Sequence, residues 1–154
     1  MNGYKRIYFS REYQETMKEL RVRDLMTTQV LTIKPTDTIK RATIKLAVDN
    51  VTGAPVVDNR NHVIGMITES DIFALILKYQ NKLDRDPSTD HSLLSIPMDG
   101  ATTDAAVAEA NKIISEMEVE EIMVRSVLTT SPDEKIVEAL KKMMQLNINR
   151  LPVL

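Results

Sequence analysis

The feature that most constrains this chain is an internal repeat. Shifted against itself by 97 residues, the sequence lays VRDLMTTQVLTIKPTDTIKRATIKLAVDNVTGAPVV, from Val22, on VEEIMVRSVLTTSPDEKIVEALKKMMQLNINRLPVL, from Val119, without a gap. About a third of the aligned positions are identical. They include Met26 with Met123, the Val-Leu-Thr at 30–32 with that at 127–129, Pro35 with Pro132, Ala42 with Ala139, and Pro55-Val56 with Pro152-Val153. Two copies of one supersecondary unit therefore organise the chain.

Inside the first copy, Val30 to Ile33 reads as a short β-branched strand ended by Lys34-Pro35, since proline has no N–H to give a ladder. Thr36, Asp37 and Thr38 offer capping oxygens to a helix that keeps Ile39, Ala42, Leu46 and Ala47 on one face and ends near Asn50. Pro55 to Val57, the polar run Asp58 to Asn61, and His62 to Ile67 read as a hairpin. Thr68 to Asp71 opens a second helix whose body, Ile72 to Tyr79, is apolar nearly all round, a pattern expected of a helix buried in part against another subunit. Leading helices repeat as well, with Tyr13, Met17 and Leu20 before copy one and Ala110, Ile114 and Met117 before copy two. Residues 1–80 then form the first repeat with its leading helix, 81–103 a polar, turn-rich linker, and 104–154 the second repeat.

The chain has 154 residues, 43% of them hydrophobic, enough for a compact unit that buries roughly 70% of its unfolded surface. Without cysteine it has no disulfide framework, thiolate zinc site or cysteine nucleophile, which fits a reducing compartment and makes the cytoplasm the expected location. Twenty Lys and Arg stand against 22 Asp and Glu, so no positive excess draws it to nucleic acid or an anionic membrane. The longest apolar stretch, Ile72 to Leu77, is far short of a membrane span.

The Val-Leu-Thr strand before Pro35, the strand Gly53-Ala54-Pro55-Val56-Val57-Asp58, and Gly65-Met66-Ile67-Thr68-Glu69-Ser70-Asp71-Ile72, in this order and doubled, resemble the CBS (cystathionine-β-synthase) domain family. The resemblance covers nearly the whole chain. It implies a mixed α/β (α+β) fold of tandem βαββα repeats, paired about a pseudo-two-fold axis with two clefts between them. It also implies a regulatory role in which AMP, ADP, ATP or S-adenosylmethionine binds in a cleft, and a homodimer formed through the helices. Copy two reaches Leu154 where the resemblance calls for a turn, a third strand and a helix with a second Thr-x-x-Asp, so this repeat is expected to be incomplete and to leave an unpaired edge.

Thr68-Glu69-Ser70-Asp71 fits a capping box, in which a hydroxyl and an acid three residues apart close a helix start. The same geometry aims hydroxyls and free N–H groups at a phosphate and lets a carboxylate accept both hydroxyls of a ribose. By resemblance, Thr68 and Ser70 lie near ribose or phosphate and Asp71 on the ribose diol. Thr52 and Gly53, with Asn149 and Arg150 as their counterparts, match positions of base or phosphate contact. Arg150 could pair with a phosphate or be a solvated surface residue. Met26, Val30 and Pro55, with Met123, Val127, Leu128 and Ile148, would wall an adenine or be ordinary core. Gly65 stands where a strand glycine marks a bulge or a close approach by another backbone or a ligand, with packing the expected reason. His62, His91 and the methionines Met98, Met117, Met123, Met143 and Met144 carry no ligand pattern.

Three function classes follow. The first is a sensor of an adenosine-containing ligand, read out by a fused or separate effector protein. The second keeps the fold without the ligand and holds a dimer together. The third, an enzyme, finds no nucleophile with a base, no metal spacing and no glycine-rich phosphate loop in the sequence.

Overall fold

A computed structural model describes residues 19–83 and 105–154. Tyr13, Met17, His91, Met98 and most of the expected linker lie outside them. The elements are α1 (Val22–Leu25), α2 (Ile39–Val48), β1 (Gly53–Val57), β2 (Val63–Thr68), α3 (Glu69–Leu83), α4 (Ala105–Glu116), a 3-10 turn (Val119–Glu121) and α5 (Ile136–Leu146). They fall into two compact units. The larger runs from Gln29 to Val127, and the smaller joins the chain up to Thr28 with Leu128–Leu154.

In the larger unit β1 and β2 pair antiparallel, with Gly53 opposite Thr68 and Val56 opposite Gly65, and the register slips between Val56 and Val57. Asp58 shapes the turn because its Oδ1 accepts the N–H groups of Arg60 and His62, each at 2.8 Å, while Asn61 takes the left-handed conformation at φ 65°. Ile33 extends the sheet on the β1 side as a parallel bridge to Val56, and Val124 extends it on the β2 side as an antiparallel bridge to Met66. The strand expected over Val30 to Ile33 is therefore reduced to one bridging residue. Immediately after Ile33 the Asp37 carboxylate captures the Lys34 N–H at 3.0 Å, turning the chain out of the sheet, and Val30 is exposed.

Around this sheet α2 buries Ile39, Ala42 and Leu46, α3 buries Ile72, Leu75 and Ile76, and α4 buries Val107, Ala110 and Ile114. They join Val56, Ile67 and Val119 in one core, each large aliphatic side chain contributing about 1.5–3 kcal/mol of transfer free energy. Thr38 caps α2 by accepting the Arg41 N–H at 3.2 Å. Ala47, expected on the buried face, is exposed, since it lies about 100° around the helix from Leu46. Nor is α3 buried all round: Phe73 and Leu77 are 59% and 45% exposed.

The two units repeat one hydrogen-bond pattern under the 97-residue shift. In the larger, the N–H groups of Val119, Glu120 and Ile39 donate to the carbonyls of Asp37, Pro35 and Met117 at 2.9, 3.0 and 2.8 Å. In the smaller, those of Val22, Arg23 and Ile136 donate to Glu134, Pro132 and Leu20 at 2.9, 3.0 and 2.9 Å. The parallel bridge of Ile33 with Val56 reappears as Thr130 with Val153. Each unit thus combines the strand-turn-helix of one repeat with the leading segment of the other. Asn50 and Asn147, equivalent in the repeat, both take left-handed φ values, 52° and 51°, just beyond their helices.

Candidate functional site

The end of β2 runs directly into α3, and this junction carries most of the candidate residues in the larger unit. Thr68 donates to Asp71 Oδ2 through its N–H at 2.8 Å and its hydroxyl at 2.6 Å, while the Asp71 N–H reaches Thr68 Oγ1 at 3.4 Å. The capping box is closed. It satisfies a donor of the helix start and fixes a carboxylate beside it. No described residue hydrogen-bonds to Asp71 Oδ1. The Glu69 N–H donates to the Thr52 carbonyl at 3.1 Å, and Gly53 faces Thr68 across the ladder. Thr52, Gly53, Thr68 and Asp71 are thereby gathered at one end of the hairpin, Thr52 exposed and the other three half-buried.

Ser70 is exposed and lines a groove of about 680 Å³ between α2 and α3, together with Glu69, Thr43, Ala47, Phe73 and Leu77. Val127 is half-buried at the end of the larger unit. Leu128, Asn149 and Arg150 belong to the smaller unit, where Leu128 is 38% exposed, Asn149 exposed and Arg150 half-buried. Asn149 and Arg150 follow the turn at Asn147, which the Ile148 N–H closes onto the Met143 carbonyl at 2.9 Å.

Gly65 has a steric role. A Cβ at this position would stand 2.5 Å from Met123 Sδ, 3.1 Å from Met123 Cγ and 3.2 Å from the Val124 carbonyl oxygen. The lack of a side chain lets the 123–124 segment lie on β2, where Met66 and Val124 exchange two N–H···O bonds of 2.9 Å. Met123 is buried in the core of the larger unit.

An acid–lysine pair that sequence reasoning missed recurs in both units. Lys45 Nζ donates to Asp37 Oδ2 at 2.6 Å, with Arg41 Nε at 3.3 Å from Oδ1, and Asp37 is 7% exposed. Burial opposes ionisation of Asp37, yet the Lys45 hydrogen bond, the Lys34 N–H and the charges of Lys45 and Arg41 outweigh it and hold the carboxyl below its ordinary range. At the equivalent position Lys142 Nζ donates to Glu134 Oε2 at 2.7 Å, and Thr130 also donates to that oxygen. The Lys142 bond, then the Thr130 bond, lower the Glu134 pKa. The available signal was the repeat itself, which aligns Asp37 with Glu134 and Lys45 with Lys142. Among the described residues no cluster of three or more His, Asp or Glu could hold a metal ion, and no helix is long and apolar enough to cross a membrane.

The family model for the CBS domain matches residues 22–78 and 119–154. The uncharacterized protein MJ1426 of Methanocaldococcus jannaschii is 30% identical over 133 residues, which span 86% of this chain and 78% of that protein. A homoserine O-acetyltransferase of Methanococcus vannielii is 28% identical over 139 residues, 90% of this chain but 22% of the enzyme's own length. Among solved structures, the CBS domain of a CBS domain containing membrane protein from Sphaerobacter thermophilus superposes with a TM-score of 0.68 at 23% identity, covering 94% of this chain and 82% of that one. CBSX2 in complex with AMP gives 0.59 at 20% identity, over 87% and 81% of the two chains. The CBS domain pair of protein MJ0100, in complex with 5-methylthioadenosine and S-adenosyl-L-methionine, gives 0.58 at 23% identity, over 88% and 81%. These likenesses establish the shared fold.

Proposed function

The chain belongs to the CBS domain family, and from that premise we propose that it is a regulatory module sensing an adenosine-containing ligand: AMP, ADP, ATP or S-adenosylmethionine. The observation that carries this reading is the junction of β2 and α3, where Asp71 keeps a carboxylate oxygen without a described partner beside Thr68, Thr52 and Gly53. A carboxylate accepts both hydroxyls of a ribose, and the start of a 15-residue helix supplies N–H groups and a favourable dipole for phosphate. Two similar CBS proteins hold AMP, and 5-methylthioadenosine with S-adenosylmethionine, which supports an adenosine compound as the class.

In this proposal Thr68 and Ser70 lie near ribose or phosphate and Asp71 on the diol, while Val127, Leu128, Asn149 and Arg150 supply the remaining contacts. Residues 1–80 and 104–154 act as two repeats joined by a linker. The module is not itself a catalyst, works in the cytoplasm, forms a homodimer through its helices, and transmits ligand occupancy to a fused or separate effector by shifting the population of its conformations.

Calorimetric titration with AMP, ATP and S-adenosylmethionine tests it. At least one should bind, and Asp71→Ala should weaken that binding roughly 10- to 100-fold, the worth of a hydrogen bond to a charged group. No binding by any of the three at millimolar concentration overturns the reading. One observation favours a second reading, a CBS module without ligand that only holds a dimer: Asp71 Oδ2 is already engaged twice by Thr68, as a purely structural cap requires.

A further inference from the structure

We infer that the trough between α2 and α3 binds a single acyl chain with an anionic head, a free fatty acid of medium length. Two hollows of the larger unit are continuous on this face. The first, of about 680 Å³, has the buried Leu46 and Ile72 in its lining, with Ala47, Phe73, Ala74 and Leu77 around them. The second, of about 470 Å³, lies further along α3 at Lys78, Asn81 and Lys82, and Ala74 and Leu77 line both. Sites for small molecules have volumes of this order and are mostly apolar, with a few polar groups that fix the ligand's direction. The trough meets the proposed sensing junction only at Glu69 and Ser70, and the inference does not rest on that reading.

The order of side chains along α3 selects the ligand. Glu69 and Ser70 stand at one end and Lys78 and Lys82 at the other, while Ile72, Phe73, Ala74 and Leu77 between them offer only carbon. From Ser70 to Lys78 the helix rises about 12 Å. A hydrocarbon chain can lie along that stretch, whereas a sugar or a nucleotide would bury donors and acceptors that nothing there satisfies. Phe73 and Leu77 are exposed, so a tail laid over them removes apolar surface from water on both sides. Charge then sets the direction. A carboxylate is drawn to the two lysines and the Asn81 amide, and Glu69 repels it from the other end. Lys82 is already steadied, its Nζ standing 4.6 Å from the centre of the Tyr79 ring. A hydrophobic amine meets the reverse situation, one carboxylate against two cations.

Calorimetry on the full chain with octanoate, decanoate and dodecanoate, each below its micelle concentration, tests this. Affinity should rise at least about threefold with each two-carbon step, because a fully buried methylene is worth roughly fourfold and one side of the trough stays open. Decylamine, with the tail of decanoate and the opposite head, should bind at least about tenfold more weakly than decanoate. Replacing both lysines, Lys78→Gln with Lys82→Gln, should weaken decanoate roughly tenfold. Ala74→Trp fills the trough where the two hollows meet and should abolish binding. All three positions are exposed, so both variants should keep the circular dichroism spectrum and urea midpoint of the parent. No saturable binding of dodecanoate at millimolar concentration, an affinity independent of chain length, or decylamine bound as tightly as decanoate overturns the inference. So does undiminished decanoate binding by the double lysine variant or by folded Ala74→Trp. Sedimentation with phosphatidylglycerol vesicles by a protein that ignores free dodecanoate would give this face to a membrane surface, and a dimer dissolved by Ala74→Trp in a protein that ignores dodecanoate would give it to a second copy. Either result overturns the inference.

Discussion

Gly65→Ala offers the sharpest test of how the larger unit is held together. Gly65 does not have a positive φ, so alanine meets no backbone strain and the whole effect is steric. The new methyl would lie 2.5 Å from Met123 Sδ, against an ordinary separation of about 3.5–4 Å, so the sulfur must retreat by roughly 1 Å. Met123 is 6% exposed and has little room to do so, and the Val124 carbonyl at 3.2 Å is tied to the Met66 N–H. Overpacking of this kind costs about 1–3 kcal/mol. Urea unfolding followed by circular dichroism measures it, in a double-mutant cycle with Met123→Ala. Met123→Ala alone should cost about 2–5 kcal/mol through the cavity it leaves. In that background Gly65→Ala should be nearly neutral, giving a coupling energy of about 1–2 kcal/mol. A neutral Gly65→Ala in the parent, or a strictly additive cycle, would refute the close approach of residues 123–124 to β2.

Other perturbations address the repeated devices. Lys45→Met should destabilise by about 2 kcal/mol in urea, because it strips a charge-assisted hydrogen bond from the buried Asp37; an unchanged midpoint would show the pair to be idle. Because the folded pKa of Asp37 is lowered, its stabilisation is fully present above the ordinary carboxylate pKa near 3.8 and is lost as pH falls through the lower folded value. The urea midpoint should therefore fall below about pH 4, and Asp37→Asn should flatten part of that fall; an identical acid limb in both proteins would contradict the assignment. Asn147→Ala should cost about 1 kcal/mol by placing a Cβ-bearing residue without a local polar partner at φ 51°, whereas Asn147→Gly should be near neutral, both read by thermal unfolding.

Much of the larger unit was legible because its signals are local. The hairpin at Asp58 to Asn61 announced itself through turn residues, α2 through the spacing of Ile39, Ala42 and Leu46, and the Thr68 to Asp71 box through its three-residue interval. The strand expected at Val30 to Ile33 failed because β-branched propensity describes what a segment can do, while of these residues only Ile33 meets a ladder partner, in Val56. Ala47 was placed by hydrophobicity, which does not distinguish a core face from an exposed one. Asp37 and Lys45 are eight residues apart across a turn and a helix, so their union had no short-range signature. The exchange of leading segments was wholly invisible. It is made by backbone hydrogen bonds, and the alignment that reveals two similar copies is silent about which leader meets which helix.

That exchange gives the proposed sensing site a physical connection to the rest of its unit. β2 ends at Thr68, which holds Asp71, and three residues earlier its face is open at Gly65 to receive Met123 and Val124. The segment continues to Val127, where the chain leaves the larger unit. A ligand that tightens the Thr68–Asp71 junction must act on β2, and β2 is bridged at Met66 to Val124 in the leader of the other repeat. Linkage makes the coupling reciprocal: if occupancy favours the docked 123–124 segment, forcing that segment away must weaken the ligand by the same factor. Gly65→Ala should accordingly raise the dissociation constant of whichever adenosine compound binds the parent protein several-fold, although Gly65 is not among the residues proposed to touch it. Lys45→Met, which perturbs the same unit at its Asp37 ion pair, is the control and should leave that constant unchanged. Equal affinity in the parent and Gly65→Ala proteins would mean that the leader is structural ballast, and that a signal from Asp71 must leave the larger unit by another path.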